Sequence, residues 1–267
     1  MKEKKYLTEQ EIKAHLCSIL LEIDSFCRNN GIHYFLAFGT LLGAIRHNGF
    51  IPWDDDIDLW MPRPDYNRFI TSFKHRELSF HSPETDVEWP LNFGKVCDER
   101  FSAPDRFGND FGLFVDIFPL DGIPSNPFQK KLFFKLIRFS ERLWSSQLFT
   151  RHIKLANCKT VSLGFRITMG RLLHFFIPFR VIRNTLNYLY SYYEYSTAQE
   201  VGCISINSKT LSKDLFSEAV HGHFEGNIFP LPIGYDSCLK IYYNDYMKIP
   251  PEEDRYSHEI IVFKFRK

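Results

Sequence analysis

An α/β fold on a mixed sheet is what this sequence predicts, and three observations predict it. Segments of helical and of strand periodicity alternate along the first half of the chain, as they do where helices cover a sheet. Phe111–Leu120 (FGLFVDIFPL) is apolar on both parities except at Asp116, the pattern of a central strand covered on both faces. The 267 residues are 44% apolar and 24% charged, which is a globular composition with enough apolar mass for one large domain or two small ones.

Taken in order, Thr8-Glu9-Gln10-Glu11 is a capping box, and it opens a helix with apolar positions at Ile12, Leu16, Ile19, Leu20 and Ile23 that stops at Asn30-Gly31. Ile32–Ala37 reads as the first core strand and delivers the chain to a small-residue turn, Gly39-Thr40. A short apolar helix, Leu41–Arg46, follows and is broken by Asn48-Gly49 and Pro52. Backbone N–H groups at such a helix start attract phosphate. Arg46 closes the helix either as a fork for that phosphate or as a cation favoured by the helix dipole.

Four carboxylates then arrive within five positions: Asp54, Asp55, Asp56 and Asp58. For Asp54 and Asp55 a solvated loop and a site role stand equal. Asp56 and Asp58 are expected on one face of a strand, with Ile57 and Leu59 on the buried face. Carboxylates ~7 Å apart along a strand repel unless a cation lies between them. Mg²⁺, or Mn²⁺ in its place, suits that position, because it takes hard oxygens, few protein carboxylates, and water or substrate phosphates for the rest. A phosphate turn followed by an acid pair is a phosphoryl-transfer layout.

Pro64 at a first-turn position opens the next helix, through Tyr66, Phe69, Ile70 and Phe73. A strand-like Leu78-Ser79-Phe80, a turn at Pro83–Thr85, and the alternating stretch Asn92–Asp98 lead to Phe111–Leu120. Asp116 in that apolar strand needs a partner, since a buried unpaired carboxylate costs several kcal/mol. The metal held by Asp56 and Asp58 is the expected one, with a structural salt bridge as the competing reading. Asp121-Gly122 reads as a turn.

From Ser125 to Tyr193 there are twelve Lys or Arg against one acid, Glu141, a local net charge of +11 in a chain whose total is +1. Phe128, Phe133, Phe134, Phe139, Trp144, Phe175, Phe176 and Phe179 are interleaved with them. Such a segment reads as a surface for anionic lipid, as a helical subdomain with an aromatic core, or as a nucleic-acid surface; the overall charge balance disfavours the last. His221-Gly222-His223 lacks partners at zinc spacing. Six cysteines with no C-x-x-C pair indicate reduced thiols. With neither a signal-peptide core nor a spanning run, a cytoplasmic protein is expected, peripheral at the inner face of the cytoplasmic membrane.

The stretch GTLLGAIRHNGFIPWDDDIDL, Gly39 to Leu59, resembles the signature of the LicD family of phosphotransferases, related to fukutin-type enzymes within the nucleotidyltransferase-fold superfamily. VDIFPLDG at Val115–Gly122 and LPIGYDSCLKIYYNDYMKIPP at Leu231–Pro251 resemble it too. The usual glycine of the family's Y-G-D-Y-M is Asn244 here, which tolerates a left-handed turn. The resemblance implies a nucleotidyltransferase-like catalytic core over 1–124, with the basic helical insertion over 125–200 and a segment over 201–267 that completes the active-site region. It implies an acid triad of Asp56, Asp58 and Asp116, catalytic and metal-holding, with Gly39, Thr40 and Arg46 at the phosphate. Lys95, in the pattern Lys95-Val96-Cys97-Asp98, is then a donor-phosphate residue, the other reading being a sheet-edge lysine. Trp53 and His258 are expected at the donor. The implied reaction moves phosphocholine from CDP-choline to a hydroxyl of a glycan such as lipopolysaccharide, teichoic acid or a capsule precursor, the acceptor being lipid-linked. Another CDP-linked polyol or glycerol phosphate, a nucleotidyltransferase using an NTP, and a non-catalytic nucleotide or lipid-surface binder remain open.

Overall fold

The capping box forms as its residue types dictate. Thr8 N–H donates to Glu11 Oε2 (2.8 Å) and Glu11 N–H to Thr8 Oγ1 (3.2 Å), starting α1 (Glu9–Asn30), whose buried stripe includes Ile12, Leu16, Ile19, Leu20 and Ile23. The computed structural model describes residues 4–104, 109–152, 168, 172, 176–255 and 261–265. A short strand, β1 (Lys4–Tyr6), precedes α1.

A mixed seven-stranded sheet follows, flanked by helices. Its strands are β2 (Phe35–Leu36), β3 (Asp58–Pro62), β4 (Ser79–His81), β5 (Gly94–Asp98), β6 (Leu113–Ile123), β7 (Glu200–Gly202) and β8 (Leu211–Ser212). The order is β2-β3-β6-β5-β4, with β7 on the far end of β6 and β8 beside it. Among the described strands of this sheet, only the β3–β6 pair is parallel. Between β2 and β3 lies α2 (Phe38–His47), and α3 (Arg63–Ser72) follows β3. One apolar cluster, including Leu20, Leu36, Leu41, Trp60, Phe69, Val115 and Ile117, fills the space between sheet and helices.

Two expectations are corrected here. Asp121-Gly122 is not a turn: β6 runs on to Ile123, because Arg63 meets the buried Asp121 carboxylate as a two-pronged fork (2.5 and 2.9 Å) and removes the penalty of an acid in a strand. Gly122 is there for closeness, since a Cβ would stand 2.4 Å from the carbonyl oxygen of Tyr193. Asp56 does not sit in a strand, because β3 begins at Asp58, although the alternation of faces persists with Ile57 and Leu59 fully buried.

In the basic segment, α4 (Pro127–His152) packs against α5 (Phe179–Tyr190). Phe133, Ile137, Trp144, Phe179, Ile182, Leu186 and Tyr190 form a second core, joined by Ile123 and Ile204. Part of the aromatic content is therefore interior. The buried Arg183 guanidinium lies over Trp144 (4.0 Å) and donates to Trp89 O (2.9 Å) and Asn92 Oδ1 (3.0 Å), tying α5 to the segment before β5. The chain then makes the hairpin β9 (Ala219–Phe224) and β10 (Asn227–Pro232), the helix α6 (Tyr235–Tyr243), and β11 (Phe263–Phe265), which pairs with β1. His221 and His223 are exposed on β9. Cys17, Cys27, Cys97, Cys203 and Cys238 are free, and burial pushes the thiols of Cys17, Cys97 and Cys238 up to about 12, which keeps them unreactive; Cys158 lies outside the described residues.

Candidate active site

The site begins at a strained residue. Phe38, the first residue of α2, has φ 42°, a conformation a bulky side chain rarely adopts. Its ring is caged by Trp60, Phe118 and Tyr242 at centroid distances of 5.0, 5.2 and 5.0 Å, and that packing holds the kink. The first helical bond is Leu41 N–H to Ala37 O (2.9 Å), so the N–H groups of Phe38, Gly39 and Thr40 stand at the free start of the helix. A Cβ at Gly39 would lie 2.6 Å from Asp54 Oδ2, so a larger residue there would have to displace that carboxylate. Thr40 is buried and points the other way: its Oγ1 accepts the Asp58 N–H (2.8 Å). Ala37 N–H donates to Asp58 O (2.9 Å) and Asp116 N–H to Ile57 O (2.8 Å), so the residues bearing the acids are pinned from both sides.

Strand register then aligns three charges. Asp58 on β3 stands beside Asp116 on β6, and Asp116 beside Lys95 on β5, which puts all three on one face. Lys95 and Asp116 are both buried and form an ion pair. The Lys95 ammonium lies 3.3 Å from the ring centre of Phe114, with Phe93 and Phe111 at 5.4 and 5.6 Å. Asp116 thus has the salt-bridge partner weighed from the sequence. Lys95 is not at a sheet edge, since β4 lies outside β5. Burial first, then the charges of Asp56, Asp116 and Asp54, push the Asp58 carboxyl well above the usual carboxylate range, while Lys95 pulls the other way.

A cavity of about 430 Å³ opens over this region. Gly39, Leu42 and Arg46 of α2 line one side, Trp53, Asp54, Asp56 and Asp58 another, and the end of α6 with the loop after it the third. The structure therefore brings Gly39, Arg46, Trp53, Asp56 and Asp58 to one cavity and leaves Asp116, Lys95 and Thr40 behind its wall. His258 lies outside the described residues. Arg46 is already engaged, donating to Tyr246 O (2.7 Å) and Lys248 O (3.4 Å).

Sequence reasoning nominated none of the third wall: Tyr243, Asp245, Tyr246, Lys248 and Asp254. The signal was present, because the stretch Leu231–Pro251 was singled out, but as a pattern without side-chain roles. Burial and the charges of Asp58, Asp54 and Asp56 push the Tyr243 phenol up, keeping it a hydrogen-bond donor. Arg255 covers Trp53 (4.6 Å). From the opposite side Glu225 clasps the turn after α2, accepting from Phe50 N–H (3.0 Å) and donating its own N–H to Asn48 O (3.0 Å).

The donor set fits a hard divalent cation. Five carboxylates line one cavity, Asp54, Asp56 and Asp58 on one side and Asp245 and Asp254 on another, and the strain on Asp58 is of the kind a cation among them relieves. Among the described residues no three acidic, His or Cys side chains form a ready-made cage. An ion held by one or two carboxylates and completed by water and phosphate oxygens, as Mg²⁺ prefers, needs none.

A family profile described as LicD/FKTN/FKRP, nucleotidyltransferase domain, matches residues 31–146. The chain is 31% identical over 271 aligned positions to a Haemophilus influenzae protein named lipopolysaccharide cholinephosphotransferase LicD, covering 96% of this chain and 97% of that one. An uncharacterized protein of Rickettsia typhi is 32% identical over 44% of this chain and 41% of its own. The mannosyltransferase regulator 4 of Saccharomyces cerevisiae is 27% identical over 61% of this chain and 14% of its own length.

Proposed function

The chain belongs to the LicD family of phosphotransferases, and on that premise we propose that it moves phosphocholine from CDP-choline to a hydroxyl of a cell-surface glycan. The observation that carries this reading is the cavity in which the free start of α2 faces the carboxylates of Asp54, Asp56 and Asp58, in a chain aligned over nearly its whole length with a cholinephosphotransferase. The glycan is a lipid-linked precursor of lipopolysaccharide, met on the cytoplasmic side of the membrane. No helix among the described residues is long and apolar enough to cross a membrane.

In this mechanism the acceptor oxygen attacks the phosphorus that bears choline, the bond from that phosphorus to the CMP oxygen breaks, and the hydroxyl proton passes to a carboxylate. Asp56 and Asp58, with Asp116 behind them, would hold Mg²⁺, which when bound neutralises the pyrophosphate and the leaving CMP. The N–H groups at the start of α2 would bind phosphate oxygens, Asp54 yielding that position. Arg46 fixes the loop over the cavity through the carbonyls of Tyr246 and Lys248 and so closes the site around the donor. Lys95 orients Asp116 and balances its charge.

CDP-choline labelled on the choline-side phosphorus tests this. With a glycan acceptor and Mg²⁺, label is expected in the glycan and all cytidine as CMP. Label left in the nucleotide, or pyrophosphate released from CTP, would make the protein a nucleotidyltransferase. Tight binding of CDP-choline without turnover would make it a binding protein.

A further inference from the structure

The inner face of α4 supplies Phe133, Ile137 and Trp144 to the second core, yet its outer face is also apolar. Phe128, Leu132, Leu136 and Phe139 fall on that outer face at helical spacing and are 77%, 48%, 47% and 59% exposed. A solvated helix face is normally polar, and a stripe of four large apolar side chains marks an interaction surface.

The charges beside the stripe say what covers it. Lys131 and Lys135 are exposed on the same face and, among the described residues, pair with no carboxylate. Lys130 and Arg138 of the same helix behave differently: Lys130 is bound to Glu200, and Arg138 to Glu141 (2.5 Å), so those side chains are turned to the protein. Among the described side chains of α4, the paired cations Lys130 and Arg138 thus face the protein, while Lys131 and Lys135, joined by the exposed Arg142 one turn beyond Phe139, stand beside the apolar stripe. A polar protein partner would leave the four apolar groups half-satisfied, and an apolar one would bury the ammonium groups without counter-charge. An anionic bilayer surface satisfies both, because acyl chains take the apolar groups while headgroup phosphates meet the ammonium groups.

We propose that the outer face of α4 is a membrane-docking surface, with Phe128, Leu132, Leu136 and Phe139 entering the interface and Lys131 and Lys135 on anionic headgroups. This deepens the reading of a lipid-linked acceptor. Because α4 starts four residues after β6, the strand that carries Asp116, docking would hold the catalytic sheet at the membrane through one short connection.

The test is cosedimentation of the full chain with vesicles of phosphatidylglycerol and phosphatidylcholine, without substrate, alongside CMP release from CDP-choline in vesicle-free solution. Binding is expected to mixed vesicles and not to pure phosphatidylcholine, and to weaken as salt rises. At about a five-fold loss per basic residue, Lys131→Gln/Lys135→Gln should bind about 25-fold more weakly. Phe128→Ser/Phe139→Ser should also lose binding while keeping its thermal melt; if that variant fails to fold, the lysine pair carries the test. Lys74→Gln, an exposed charge change on the core, should bind as wild type. Undiminished binding by the lysine variant, an equal loss in the Lys74 control, or a dimer that Phe128→Ser/Phe139→Ser dissociates with vesicle binding unchanged would overturn the proposal. CMP release reads the proposed chemistry separately, since neither pair of substitutions touches the cavity.

Discussion

Replacing Lys95 by methionine keeps the apolar stem and deletes the ammonium. The structure sets the size of the effect, because Lys95 and Asp116 are 4% and 7% exposed and little water can replace the lost partner. Removing one member of a buried pair costs about 3–5 kcal/mol. The lost contact with the Phe114 ring adds to that, and methionine's contact with the same ring offsets part of it. A net loss of about 3–4 kcal/mol should lower the melting temperature by roughly 10 °C, taking about 2–4 °C per kcal/mol for a domain of this size. Urea titration of the metal-free protein reads the same loss as a shift in midpoint at unchanged slope. Turnover of labelled CDP-choline should fall about 100-fold, since Asp116 would no longer be held in register with Asp58. Lys95→Met/Asp116→Asn should regain most of the stability and none of the turnover, because no uncompensated charge remains but the row is gone. Wild-type midpoint and rate in Lys95→Met, or a double variant as unstable as the single one, would refute the reasoning.

Other consequences follow from the same geometry. Saturating Mg²⁺ should stabilise the protein by about 2.7 kcal/mol at one hundred times its dissociation constant. In Asp56→Asn or Asp58→Asn that gain and the turnover should vanish, while the metal-free variants melt no lower than wild type because like-charge repulsion is relieved; an undiminished Mg²⁺ shift in a thermal melt would remove these residues from the metal site. Thr40→Val leaves the Asp58 N–H without its acceptor and should cost about 1–3 kcal/mol by urea titration, with a fall in turnover as Asp58 loses its aim. Asn244 has φ 56° and ψ −111°, outside the left-handed helical region that asparagine tolerates and within a region that favours glycine. Asn244→Gly should therefore raise stability by about 0.5–1 kcal/mol, and a variant that melts lower would show that the Asn244 side chain holds the loop.

Sequence alone determined what depends on neighbours a few residues apart. The capping box of α1 closes between Thr8 and Glu11, and the alternation that buries Ile57 and Leu59 against Asp56 and Asp58 is a property of consecutive residues. The apolar run Phe111–Leu120 located the central strand, since burial on both faces leaves no polar parity. The tertiary structure decided where charges find partners. Asp121 reads as a turn residue until Arg63, 58 positions away, is seen to neutralise it; Asp116 finds Lys95 across a strand 21 positions off; Arg46 reaches a carbonyl 200 positions on. The loop that walls the cavity comes from the far end of the chain, so no local pattern could assign it. The outer stripe of α4 was hidden in the same way. Phe128 and Phe133 are alike in sequence, and only the packing of α5 against one side of the helix leaves the first in water and takes the second inside, because burial is settled by what lies opposite a side chain rather than by what lies next to it along the backbone.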